Sequence, residues 1–383
     1  MTDDISTTTS ARGAGTAGPG STRELQRATA GPGSTRELEP ASPLDVVRST
    51  RAMVHRRLWV VLATLLTVLV GVLAVRVLLG SFTFTIPDFF RIVTGTDIPG
   101  ATYVLMESKL PRAVAGTLAG LALGATGATF QTMARNPLAS PDVLGITLGC
   151  SAAAVTAAVL FDAPPTVVSL AALGGGALVA LALIVLSGSH PGAAPGRMIL
   201  VGIALAAMLV SVIHWVLVKA DIYQAREAMV WLTGSLTGVK WSEIQLLALV
   251  VLVGLPLLLA VGQQLRIVEL GDDIAHGLGL SPLATRTRAI ALVVVLTAAA
   301  TAVCGPIAFV AFLSGPIARR LLGGRPSILS AALVGAVIVV LADFLAAEAL
   351  PDSNLPVGVI TGLAGAPFLL WLLMTTRSTK ETA

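Results

Sequence analysis

Two groups of residues in this 383-residue chain have the types and spacing for chemistry. The first lies inside long apolar runs: His214 beside Trp215, Asp343, and Glu348 nearer the end of the same run as Asp343. An ionisable side chain at membrane depth marks an ion pathway or proton relay by default. His214 and Asp343 stand on different runs with no pairing visible between them, so packing or cavity lining is the favoured reading for each. The second group is the polar island Gln263–Pro282, QQLRIVELGDDIAHGLGLSP, set between two apolar runs. Ile267, Leu270, Ile274 and Leu278 recur there at steps of three and four, one face of a helix, while Glu269, Asp272, Asp273 and His276 fall away from it. Gly271 divides the island and Asp272 or Asp273 caps its second piece, which predicts two short helices and a turn. The work of such an element is mechanical. It is either an ordinary solvated connection or a docking element that carries force to another protein.

Covalent chemistry is not encoded in a recognisable form. The glycine clusters Gly174–Gly176 and Gly323–Gly324 lack the Gly-x-x-x-x-Gly-Lys-Ser/Thr pattern of a phosphate loop, and none of the four lysines follows a glycine, so the chain is not its own P-loop ATPase. Neither a metal-ligand spacing nor a Ser/His/Asp set at one depth is present, so no catalytic residue, metal or cofactor is assigned. Cys150 and Cys304 lie in or at the ends of apolar runs, as buried thiols do.

The elements that carry these residues follow from composition. Hydrophobic residues make up 55% of the chain and charged residues 12%, and the mean hydropathy is +0.87, which excludes a soluble domain. The net charge of +4 comes from scattered basic residues without interleaved aromatics, a membrane-loop pattern rather than a nucleic-acid surface. Residues 1–47 are rich in Thr, Gly, Ser, Pro and Arg and repeat the string AGPGSTREL at Ala17–Leu25 and Ala30–Leu38. They read as a disordered cytoplasmic tail without the apolar core of a signal peptide, and Met53 is a plausible internal start.

Apolar runs then follow at 58–79, 113–132, 143–161, 166–187, 198–218, 243–262, 286–303, 306–322, 328–349 and 356–375, which predicts an all-α polytopic membrane protein with ten transmembrane helices. The seventh and eighth come from dividing Ala289–Ala318 at Gly305–Pro306. An even count returns both termini to one side. With the termini and the island inside, fourteen loop lysines and arginines fall there against seven outside, so the termini are assigned to the cytoplasm. Residues 48–376 form the membrane domain and 377–383 a short cytoplasmic tail. Gly116, Gly120, Gly124 and Gly127 place a small-residue stripe on one span, a signature of close helix packing.

Several segments resemble one family. ARNPLASPDVLGI at Ala134–Ile146, with Arg135, Asn136, Pro137, Ser140 and Pro141, is similar to a signature of the FecCD permeases of ATP-binding-cassette importers for ferric siderophores, haem and cobalamin. The resemblance continues in SKLPR at Ser108–Arg112, WLTGSLTG at Trp231–Gly238, ELGDDIAHGLGL at Glu269–Leu280, GPIAFVAFLSGPIARR at Gly305–Arg320, beginning with Gly305 and Pro306, and LPVGVITGLAGAPFLLWLL at Leu355–Leu373. It spans residues from about 58 to 375.

The resemblance implies a type II importer bundle in the bacterial cytoplasmic membrane. It implies an ATP-binding subunit, a second permease chain and an extracytoplasmic binding protein as partners, with ferric siderophore as cargo and haem or cobalamin as the alternative. Glu269, Leu270, Gly271, Asp272, Asp273, Ala275, Gly277, Leu278 and Gly279 would couple to the ATPase. Lys109 and Arg112 would meet acidic residues of the binding protein, with Lys109 standing where arginine is usual. Gly315–Pro316 replaces the Pro-His of many members, and VWLTGSL is similar to the enterobactin type, which implies a heterodimer with a different permease chain rather than a homodimer. The fifth, eighth and tenth spans would line the pathway, with the Ser187–Arg197 turn near an inner gate. A proton-coupled carrier centred on Asp343, or a purely structural membrane subunit, are the rival classes.

Overall fold

The computed structural model describes residues 43–80, 82–187, 195–348 and 355–378. The chain divides into two units, Met1–Met53, of which only the opening turns of α1 are described, and Val54–Ala383. Residues 1–42 of the tail assigned to 1–47, and most of the Ser187–Arg197 turn, lie outside the described residues, while residues 43–47 open α1 rather than continue a disordered tail.

Every described element is helical. In chain order they are α1 (Pro43–Leu78), α2 (Ile86–Val93), α3 (Ala101–Tyr103), α4 (Leu110–Met133), α5 (Ile146–Phe161), α6 (Pro165–Ser187), α7 (Pro195–Lys219), α8 (Ile222–Leu232), α9 (Trp241–Val268), α10 (Asp272–Gly277), α11 (Pro282–Cys304), α12 (Val310–Leu321), α13 (Ile328–Glu348) and α14 (Val357–Ser378). Among the described residues, seven helical stretches are long and apolar enough to cross a membrane, and α5 and most of α14 are shorter apolar helices. The expected eighth span, 306–322, holds only the 12-residue α12. At 1.5 Å per residue that is about 18 Å, short of a ~30 Å hydrocarbon core, so the count of ten is not reproduced by helix length.

The reason is the backbone after Gly305 (φ 67°), which stays unwound through Phe309 (φ 65°) before α12 begins. Irregular backbone at membrane depth persists only where protein covers it. Here the cover is the turn after α8: Ser235 donates its N–H to the Cys304 carbonyl at 2.9 Å, and Gly358 donates to the Gly234 carbonyl at 3.1 Å. The WLTGSLTG, GPIAFV and LPVG segments, far apart in the chain, therefore meet at one break.

The stretch Ala101–Met133 is the most enclosed of the long helices, with 78% of its apolar window buried. Its small-residue stripe has the expected use. A Cβ added at Gly120 would sit 2.5 Å from the Ala336 Cα, and one at Gly335 would overlap the Gly120 carbonyl oxygen, so α4 and α13 touch backbone to backbone. Ahead of α4, Val104–Lys109 forms one π-helical turn in which Leu110 N–H bonds the Leu105 carbonyl. That shift frees the Met106 carbonyl, which accepts from Trp241 Nε1 at 2.8 Å.

Candidate functional site

Functional side chains gather at the two ends of the bundle. At one end the polar island folds into one short helix rather than two. α9 runs on through Val268, Gly271 (φ 127°) makes the turn, and α10 covers Asp272–Gly277. Neither Asp272 nor Asp273 caps it, because Gly271 occupies the N-cap position. Asp272 instead forms a two-pronged ion pair with Arg286 on α11, at 2.8 and 3.2 Å. Ala275 is the buried residue of α10, while Leu270, Ile274 and Leu278 are 65%, 51% and 61% exposed. Asp273, Gly277 and Gly279 are exposed, and Glu269 at the C-cap of α9 is half-buried. Ile267, the fourth residue of the predicted stripe, is half-buried in α9 and the turn at Gly271 divides the stripe, so three of its four apolar side chains are left uncovered by this chain, with acidic groups beside them.

The ARNP segment closes the same end. α4 finishes at Met133, and Asn136 N–H then reaches back to the Gln131 carbonyl at 3.1 Å while Arg135 N–H reaches Thr132 at 3.2 Å. The Arg135 guanidinium crosses to α9, where Nη2 donates to the carbonyls of Val268 and Glu269, each at 3.1 Å. Asn136 Oδ1 accepts from Leu138 N–H, and exposed Pro137 follows it. Ser140, buried, caps the turn Pro141–Leu144 by accepting from Asp142 N–H. Burial pushes the Asp142 carboxyl above the usual carboxylate range, opposed by hydrogen bonds from Thr147 and Ser140.

At the opposite end Asp343 is not isolated. Its Oδ2 takes Arg76 Nε at 2.6 Å and its Oδ1 takes Arg112 Nη2 at 2.7 Å, which ties α1, α4 and α13 together. Arg112 Nε has no partner among the described residues. Lys109 is 5% exposed, and its ammonium donates to the carbonyls of Val77, Leu79 and Phe82, where α1 ends. The residue expected to meet a binding protein is thus turned inward in this chain, where three carbonyls hold it. Arg112 is largely enclosed as well. His214 is exposed on the outside of α7, and Glu348 lies against Gly80. Gly305 and Pro306 stand in the unwound break between α11 and α12.

Sequence reasoning missed the Arg76–Asp343–Arg112 cluster. Its signal was that Arg76 alone interrupts the first apolar run and that Asp343 lies within the ninth, well before Glu348 near its end. The Arg135 contact left no signal beyond the motif itself.

Known proteins decide the family, since residues 65–375 match the FecCD transport family. The chain belongs to that family. It is 38% identical over 296 residues to the ferric enterobactin transport system permease protein FepG of Escherichia coli (strain K12), covering 77% of this chain and 89% of that one. It is also 38% identical over 278 residues to the Fe(3+) dicitrate transport system permease protein FecD of the same organism, covering 72% and 86%. Among solved structures, a metal-chelate type ABC transporter in an inward-facing conformation matches with a TM-score of 0.71 at 22% identity, over 82% of this chain and 98% of that chain. That likeness is one of fold. As a FecCD chain with seven membrane-length helices, this is a multi-pass membrane transport protein.

Proposed function

We propose that this chain is the permease subunit of an ATP-binding-cassette importer that moves ferric siderophore across the bacterial cytoplasmic membrane. Hydrolysis belongs to a separate ATPase subunit, and the chain itself performs no covalent step. The observation that carries this reading is the uncovered face of Leu270, Ile274 and Leu278 around α10, beside the Asp272–Arg286 pair. An apolar centre with a polar rim is what a protein partner docks on. α10 and both termini lie in the cytoplasm on this reading, supported by the arginines at that end of the bundle, and the Arg76–Asp343–Arg112 end faces outward.

Nucleotide binding closes the ATPase pair, α10 moves with it as a lever, and the permease pair exchanges inward- and outward-facing packings. A second, different FecCD-type chain completes the pathway along α7, α12 and α14, and an extracytoplasmic binding protein delivers the chelate. The exposed apolar residues Leu200, Ile203 and Met208 of α7 and Leu363 and Leu370 of α14 suit such a partner or the surrounding lipid. Ferric siderophore is the proposed cargo because the named relatives include the ferric enterobactin and Fe(3+) dicitrate permeases.

The test is uptake of ferric enterobactin, with ferric dicitrate in parallel, into vesicles holding this chain, a second permease, the ATPase and the binding protein. Uptake that needs all four and is lost in Asp272→Arg/Asp273→Arg supports the proposal. Uptake that persists without the ATPase and follows a pH gradient overturns it.

A further inference from the structure

We propose that Arg135 is a positioning residue, a strut that links the coupling element to α4, the central helix of the bundle. The inference rests on the reading of α10 as the element that receives the ATPase stroke.

Its backbone supplies the first observation. The two hydrogen bonds that close α4, from Asn136 N–H to Gln131 and from Arg135 N–H to Thr132, form a Schellman motif, and Arg135 occupies its left-handed position with φ 50°. Glycine is the ordinary residue there, because a Cβ is crowded in that conformation. An arginine in its place is strained, and strain of this kind is retained where the surrounding structure holds it.

The side chain supplies the second. Nη2 bridges the carbonyls of Val268 and Glu269, which belong to the last turn and cap of α9, two to three residues before Gly271 and α10. A cation at a helix C-terminus is placed where the orphan carbonyls and the helix dipole favour it. One side chain therefore fastens the end of α4 to the entry of α10.

The third is what α4 meets next. One turn back from Arg135, Gln131 Nε2 donates to the Phe312 carbonyl of α12 at 3.0 Å, and a Cβ added at Gly127 would overlap the Ala311 carbonyl. Motion passed from α10 through Arg135 thus reaches α12, beside the unwound break at Gly305–Phe309, by contacts too tight to absorb it. The Asp272–Arg286 pair ties α10 to α11 on the other side.

The discriminating substitution is Arg135→Gly, which removes the strut and relieves the backbone strain together. In the four-component vesicles, Arg135→Gly is expected to melt at or above the wild-type temperature and to retain the ATPase subunit through purification. Its uptake per ATP hydrolysed is expected to fall about tenfold, within the usual range of coupling between sites. Arg135→Lys, which returns one donor to the α9 carbonyls, is expected to recover part of the ratio. An Arg135→Gly protein with the wild-type ratio overturns the strut, and so does a ratio that Lys does not improve over Gly. If the wild type itself shows no ATP-dependent uptake, the permease reading fails instead, and Asp273→Arg serves as the control that loses ATPase binding rather than coupling.

Discussion

Arg76 on α1 and Asp343 on α13, 267 positions apart, meet through a 2.6 Å contact between Nε and Oδ2. Arg112 holds the second carboxylate oxygen, so one buried acid is shared by two cations. A buried charge that loses its partner is costly, about 3–5 kcal/mol, because its desolvation is no longer compensated. Asp343→Asn is therefore expected to destabilise the protein by about that amount, more than Arg76→Leu, which leaves Asp343 still paired to Arg112. Thermal melting of the two purified variants measures the order. An Asn variant that melts like wild type yet loses transport driven by a pH gradient would make Asp343 a proton carrier instead.

Lys109 is a test of enclosure against docking. Its ammonium replaces the missing donors at the end of α1, and hydrogen bonds to a charged group contribute about 1.5–3 kcal/mol each. Lys109→Ala is expected to speed hydrogen exchange across Val77–Phe84 while binding-protein affinity changes less than twofold, an order-of-magnitude bound for a residue not at the contact surface. A large loss of binding-protein affinity with unchanged exchange would return Lys109 to the surface role.

The α4–α13 contact predicts opposite outcomes for two glycines. Gly335→Ala drives a methyl into the Gly120 carbonyl and is expected to cost about 1–3 kcal/mol by overpacking. Gly71→Ala, on α1 with nothing within 4 Å of the new Cβ, is expected to stabilise by about 0.5–1 kcal/mol. Melting temperatures that move the same way in both would contradict the backbone-to-backbone contact.

On α10 stability and coupling should separate. The Asp272–Arg286 pair is 51% and 40% exposed at its two side chains, and exposed pairs contribute only about 0.2–1 kcal/mol, so Asp272→Asn is expected to melt close to wild type. Leu278→Asp places a charge on the uncovered apolar face and is expected to weaken retention of the ATPase subunit at least about tenfold, as loss of an interface anchor does. Retention unchanged by Leu278→Asp would remove that face from the interface.

Class and family were readable because membrane insertion and motif identity are written in consecutive residues. Twenty apolar residues in a row declare a span whatever surrounds them. The sequence alone determined the all-α membrane class, the small-residue packing of α4 and the break at Gly305–Pro306. Three matters were decided only by the tertiary structure. α12 is short because the unwound backbone after Gly305 is capped by the turn after α8, a partner about 70 residues away. Lys109 points inward because the unpaired carbonyls at and just after the end of α1 lie within reach of its ammonium. Asp343 is a structural ion rather than a lone acid because two arginines from other helices converge on it. Local pattern reports the cost of placing a residue in lipid, whereas the partner that offsets the cost is chosen by how the helices pack.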